Sequence, residues 1–240
     1  MNQIIDDKTA DLRWKSLYKV GGVAALIAAT LLLFEIIIFA IWPQPNTITD
    51  YFVLFQNSKF IGLLDFYLLE FFAYILFIPI FLAISLAIKR GNESYIALAL
   101  IFAITGVAVF LATNNPFSML SLSNQYAAAA TDAQKELYLA AGQTILANTN
   151  QRAFEGFNIG FFLLSIAGMI ISIVMLRSRT FNKVIANVGI LTFTISLVEY
   201  IRVVFMPSIS LLLIIIAVSS GLLIPIWLVL IARRLLKLEQ

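Results

Sequence analysis

Hydrophobic and polar positions segregate along the chain into six long apolar runs, at residues 20–42, 60–88, 95–113, 154–176, 184–206 and 209–232. A helix rises about 1.5 Å per residue and needs about 20 apolar residues to cross the hydrocarbon core of a bilayer, so each run predicts one membrane-spanning helix. Lipid offers no partner to backbone N–H and C=O groups, which leaves helices as the spanning form for runs of this length. The pattern predicts an all-α, polytopic membrane protein with a single six-helix transmembrane domain at residues 20–232. An N-terminal segment (1–19) and a tail (233–240) flank it.

Local signals refine the runs. Pro43 and Pro45 follow Trp42 and end the first, because proline cannot continue the helical ladder and tryptophan favours the interface. Gly21, Ala25 and Ala29 repeat at every fourth residue and give that helix a smooth side. Pro79 and Pro225 predict kinks in the second and sixth helices. The fourth run contains Gly156, Gly160, Gly168 and Ser172 on one helical side. Small residues let two backbones approach closely in lipid, so this side predicts contact with the first or third helix, or pairing of two copies. Monomer and homodimer both stay open. The connections at 177–183 and 207–208 are too short for anything but antiparallel neighbours.

One connection is long, residues 114–153. Asn115-Pro116 predicts a helix start, with the amide as cap and proline at the first helical position. Thr131-Asp132-Ala133-Gln134 has the capping-box form and precedes helix-favouring residues 135–147, with Leu137, Ala141 and Ile145 on one side. Two short helices are expected, forming a lid between the third and fourth spans. Residues 1–19 mix Leu12, Trp14, Leu17 and Tyr18 with four bases, which fits either a short helix on the headgroups or a solvated tail.

Charge sets the expected orientation. Twelve of the sixteen Lys and Arg residues fall in the two terminal segments and in the second-to-third and fourth-to-fifth connections. The positive-inside rule then places both termini in the cytoplasm, the lid outside, and the protein in the cell membrane. With 61% hydrophobic and 12% charged residues, the chain is no ordinary soluble domain. Its partner is the lipid bilayer, and no nucleic-acid partner is expected, since no basic face is interleaved with aromatics. The first run is about twice the usual apolar length of a cleavable signal and has no small-residue cleavage site after it, so it is expected to remain as a span. Cysteine and histidine are both absent, which removes disulfides, thiolate chemistry, histidine relays and ordinary zinc sites.

The ionisable residues inside the runs carry the remaining chemistry. Glu35, Asp65, Glu70, Glu155, Glu199 and Arg202 all fall between the bilayer middle and its expected outer surface. Charges at such depths are costly and face the bundle interior, pair, or contact water. Glu199 and Arg202 are three residues apart on one helix and can pair. Tyr67 and Tyr74 stand at helical spacing from Glu70. With Asn114, Asn115 and Asn158, these groups form the candidate ligand-binding set, an outward-opening polar cluster beneath the lid. It suits the binding or transport of a small cationic or amphiphilic molecule, or a lipid ligand. The alternative is a structural, accessory or sensory protein whose cluster only registers the helices. An intramembrane enzyme is less well supported. Asp65 and Glu70 are five residues apart, about 500° around a helix, and point to different sides. No histidine can serve a serine and no lysine lies within a run. No catalytic residue, cofactor or metal is expected.

The segment NNPFSMLSLSNQYAAAATDAQKELYLAAGQTILA and the following span GFNIGFFLLSIAGMIISIVMLRS resemble a family of six-pass prokaryotic membrane proteins, domain-of-unknown-function family 4386. The resemblance runs over most of the chain, from Tyr18 to Arg234, and is most specific from Asn115 to Ala129. The family has no assigned activity, so the resemblance implies topology and no catalytic residue.

Overall fold

The computed structural model describes residues 2–42, 44–88, 92–148, 158–205 and 211–239, with side chains described from Trp14 onward except at 148, 203–204 and 211–220. Among the described residues ten helices follow one another: α1 (Asn2–Ile41), α2 (Ile48–Asn57), α3 (Lys59–Asp65), α4 (Leu68–Ile88), α5 (Glu93–Thr113), α6 (Pro116–Ala128), α7 (Asp132–Asn148), α8 (Ile159–Arg177), α9 (Lys183–Phe205) and α10 (Leu211–Glu239). Among the described residues, five helical stretches are long and apolar enough to cross a membrane: in α1, α4, α5 running on into α6, α8 and α9. α10 is a further helix of 29 residues.

α1, α4, α5, α8, α9 and α10 pack each against the next in chain order, and α1 closes the ring against α10. Small residues set how closely they approach. Ala24, Ala25, Ala28 and Ala29 are buried on α1. A Cβ on Gly21 would collide with Ala83 of α4, and one on Gly22 would lie 2.8 Å from Leu236 of α10. α5 and α8 meet backbone to backbone, since a Cβ on Gly106 would stand 2.7 Å from the carbonyl oxygen of Gly160. Gly168 admits the ring of Phe193 from α9. The small face expected on the fourth span thus serves packing inside the chain at Gly160 and Gly168, while Gly156 lies outside the described residues. The core is completed by Tyr74, Phe77, Phe81, Phe110, Phe193 and Trp227.

Two expected helix boundaries are corrected. Residues 60–88 do not form one helix. The backbone breaks at Phe66 and Tyr67, the latter with φ of 59°, and the spanning helix begins only at Leu68. An aromatic residue in the left-handed region costs about 1–2 kcal/mol, offset here by burial on two sides of the break. Phe66 packs with Tyr51 and Phe55 of α2, while Tyr67 stands edge-on to Phe39 of α1 at 5.6 Å. Asp65 therefore ends a short helix before the span, and Glu70 lies in the span's first turn. Secondly, of the two readings left open for the N-terminal segment, a separate short helix is not found over residues 2–19, because α1 runs unbroken from Asn2 to Ile41.

A second core lies beside the ring, built by α2, α3, α6 and α7 around Ile48, Tyr51, Phe52, Phe55, Phe66, Met119 and Leu146. α6 starts as expected, the Asn115 side chain accepting from Phe117 N–H at 3.0 Å. α7 is capped by Thr131 as expected, Oγ1 accepting from Gln134 N–H at 3.3 Å, but the return bond of a capping box falls one residue earlier, Gln134 Oε1 accepting from Ala130 N–H at 3.0 Å. Its expected side is buried only in part: Ile145 packs against the second core but Leu137 is 65% exposed, and the closest packing is through Gly142 and Leu146, where the missing side chain of Gly142 admits Ile48 and Phe52. α2 was not anticipated, although Thr47 caps it by accepting from Asp50 N–H at 3.2 Å and Tyr51, Phe52 and Phe55 form its buried stripe.

Candidate functional site

The break before α4 assembles the site. Helix N-termini expose N–H groups with no partner in their own helix. Tyr67 cannot offer a short side-chain oxygen as Ser, Thr, Asp or Asn would. Glu35, deep in α1 and only 5% exposed, reaches across and accepts from the backbone N–H of Glu70. Its other oxygen, Oε1, is buried with no hydrogen-bond partner. The half-buried Glu70 carboxylate stands close enough to Glu35 for the two to repel.

Tyrosines surround this pair. Tyr67, Tyr74 and Tyr200 all lie within electrostatic reach of Glu70, and Tyr67 and Tyr74 within reach of Glu35 as well. Tyr74 stacks on Phe110 of α5 at 3.5 Å and meets Phe161 of α8, whose ring stands 5.8 Å from Tyr200 of α9. The phenol oxygen of Tyr74 is buried without a partner. α1, α4 and α9 thus bring acids and phenols together at one end of the ring, with aromatic walls from α5 and α8.

Asp65 belongs to an adjoining corner. Its backbone carbonyl accepts from Gln44 Nε2 at 3.3 Å, and the Gln44 side chain also hydrogen-bonds Tyr67, so Gln44 ties the corner to the acid pair. Oδ2 of Asp65 and the Tyr51 hydroxyl are both buried without partners. Burial pushes the Asp65 carboxyl up to about 7, and burial, then the nearby Asp65, raises the Tyr51 phenol.

The other candidates lie elsewhere or are engaged. Glu199 and Arg202 form a forked pair on α9, Nε to Oε2 at 2.9 Å and a second guanidinium nitrogen to Oε1 at 2.5 Å. Tyr200, within reach of both Glu199 and Glu70, links this pair to the cluster. Asn114 and Asn158 join the ends of α5 and α8 through a 3.3 Å hydrogen bond, and Asn158 caps α8 by accepting from Phe161 N–H at 2.9 Å. Asn115 caps α6. Glu155 lies outside the described residues. Thr192 and Ser196, on the inner side of α9, donate to carbonyls of their own helix at 2.7 and 3.0 Å.

Gln44, Tyr51 and Tyr200 were not anticipated. Tyr200 was findable, standing between Glu199 and Arg202 in a run whose other polar residues had drawn attention. Gln44 and Tyr51 lie outside every apolar run and reach the site only because α2 folds back. Among the described residues no three carboxylates converge as a metal site would need. The chemistry on offer is that of paired acids in an aromatic setting.

No characterised protein and no solved structure matches the chain. One family does, described as a domain of unknown function (DUF4386), over residues 62–232, a stretch that takes in the break before α4, Glu70, the paired asparagines and the Glu199–Arg202 fork but leaves out α1 with Glu35. Covering well over half of its length, that match makes this chain, with its apolar helices, an integral membrane protein belonging to the DUF4386 family.

Proposed function

We propose that this integral membrane protein has six spans with both termini in the cytoplasm, and that its outer end binds a small organic cation between Glu35 and Glu70. The helices α2, α3, α6 and α7 form the cover over that end. The supporting observation is the pair of acids itself: two carboxylates from different helices face each other, and a buried oxygen of Glu35 has no partner. Like charges in a poorly hydrated site are stabilised by a cation between them. Aromatic walls suit an ammonium or other organic cation, which the faces of Tyr and Phe attract.

A second reading has its own observation. Glu35 of α1 caps α4, and Asn158, which caps its own α8, also donates to Asn114 at the end of α5, so the polar groups also serve to register helices. A thermal-shift series separates the two. The purified chain is melted at pH 5 and pH 8 with alkylammonium, alkylsulfonate and neutral alkyl compounds, alongside Glu35→Gln, Glu70→Gln and the exposed control Glu136→Gln. Alkylammonium should raise the midpoint at pH 8, less at pH 5 because protonation removes the attraction, and both cluster variants should lose the shift while the control keeps it. If no compound class stabilises the chain, or if the shifts survive both substitutions, registration alone describes the cluster.

A further inference from the structure

The opposite end of the bundle holds a different site. There Lys19 of α1 meets Glu239 of α10 at 3.3 Å, and the α8–α9 connection lies against the last turns of α10. Between that connection and α10 is a groove of about 370 Å³. Four cations line it, Arg179, Arg233, Arg234 and Lys237, and no carboxylate does.

The groove is built on a fixed support. Thr180 Oγ1 donates to the carbonyl of Ala87 in α4 at 2.9 Å, and Thr180 N–H donates to Ser178 Oγ at 3.0 Å. The Thr180 carbonyl accepts from Nε of Arg234. Phe181 is buried at 4% exposure. The connection is thus pinned to two helices, and Arg234 is oriented by one of the pins. On the other side the lining turns apolar: Val184, in the first turn of α9, is 61% exposed, and Leu230 of α10 is half-buried.

Orientation in a membrane needs only a count of positive charges near one face, and dispersed side chains would satisfy it. Convergence of four cations on one groove costs mutual repulsion, which an anion relieves. The two parts of the lining select that anion. Arginines match the oxygens of a phosphate through paired N–H donors, and the exposed Val184 and half-buried Leu230 directly beside them suit an acyl chain. We propose that the groove binds the phosphate headgroup of an anionic phospholipid, with a chain lying along Val184 and Leu230. Basic pockets between helices take such headgroups for the same electrostatic reason. A free phosphate shares the headgroup chemistry but makes no use of the apolar wall.

The test uses the full chain in neutral detergent, melted with phosphatidylglycerol, phosphatidylcholine or inorganic phosphate. It is repeated on the triple variant Arg179→Gln, Arg233→Gln, Lys237→Gln and on a control, Lys59→Gln with Lys135→Gln. Arg234 is left intact because it holds Thr180. Phosphatidylglycerol should raise the midpoint by about 3–5 °C at tenfold excess over its Kd, more than the other two, in the wild type and the control but not in the triple variant. Native mass spectrometry of Arg233→Gln and Lys237→Gln singly provides a second readout should the triple variant fold poorly, each retaining less phosphatidylglycerol than the wild type. Equal effects of phosphatidylglycerol and phosphatidylcholine, equal effects of phosphatidylglycerol and inorganic phosphate, or undiminished lipid retention in the single variants would overturn the proposal.

Discussion

Asp65 shows how a single residue changes meaning with its surroundings. At the end of α3 it is packed beside Tyr51, one carboxyl oxygen has no donor, and burial holds its pKa near 7 against an ordinary value of 3.8. The unfolded chain therefore loses this proton first as the pH rises. Its contribution to stability is complete below about pH 4, declines from there to about pH 7 as the unfolded state alone ionises, and is level above. Asp65→Asn, which stays neutral throughout, should flatten that part of the profile and melt closer to the wild type at pH 4 than at pH 8. Midpoints recorded between pH 4 and pH 8 decide it, and parallel curves for the two proteins would show that Asp65 is ionised in the fold. Glu35 differs in kind, because it satisfies an N–H of another helix and its replacement disturbs the start of α4 as well as the acid pair.

At the level of elements, contact between α5 and α8 rests on two glycines facing each other. A Cβ on Gly160 would lie 2.7 Å from the carbonyl oxygen of Gly106 and 2.7 Å from the backbone nitrogen of Phe110, and backbone atoms in a helix cannot step aside as a flexible side chain can. Gly160→Ala should therefore lower stability by about 1–3 kcal/mol, the range for overpacking. Gly221 in α10 has nothing within 4 Å of its would-be Cβ. Gly221→Ala should be neutral or gain up to about 1 kcal/mol from helix propensity. Urea or thermal unfolding of the two variants in the same detergent tests the contrast, and equal effects would mean that α5 and α8 do not meet at Gly160. The same element scale explains α4: its helix starts where Tyr67 ends the preceding turn, and a side chain from α1 replaces the cap its own sequence lacks.

For the whole molecule, the Lys19–Glu239 ion pair puts the beginning of the first apolar run and the end of α10 together. The α8–α9 connection reaches the same end, since Thr180 touches both Ala87 and Arg234. If this end is cytoplasmic, single cysteines at Asn92 and Arg179 should be shielded from membrane-impermeant thiol reagents in intact cells, while one at Gln134 of α7 should react. The chain has no native cysteine to confuse the signal. Labelling of Asn92→Cys without permeabilisation would reverse the orientation, and with it the expected accessibility of the acid cluster.

Membrane class, helical architecture, the caps of α6 and α7 and the alternation of basic connections were legible in the sequence, because each depends on local composition or on spacing within one helix. Lipid imposes that legibility: a run of apolar residues has few alternatives to a helix once water is absent. The sequence also marked Glu35 and Glu70 as unusual, since charge inside an apolar run is costly wherever it lies. What it did not contain was their meeting. No glycine or proline signals the break at Phe66 and Tyr67, which exists because two neighbouring aromatic rings are buried in different places, one against α2 and one against α1. That break shortens the span, moves Asp65 out of it, exposes the α4 N-terminus to Glu35, and lets Gln44 connect the parts. The basic groove at the other end follows the same rule: its charges are visible along the chain, but their convergence depends on a connection pinned by helices 54 and 93 residues away in sequence. Tertiary packing decided both sites, because each is formed by groups that no periodicity brings together.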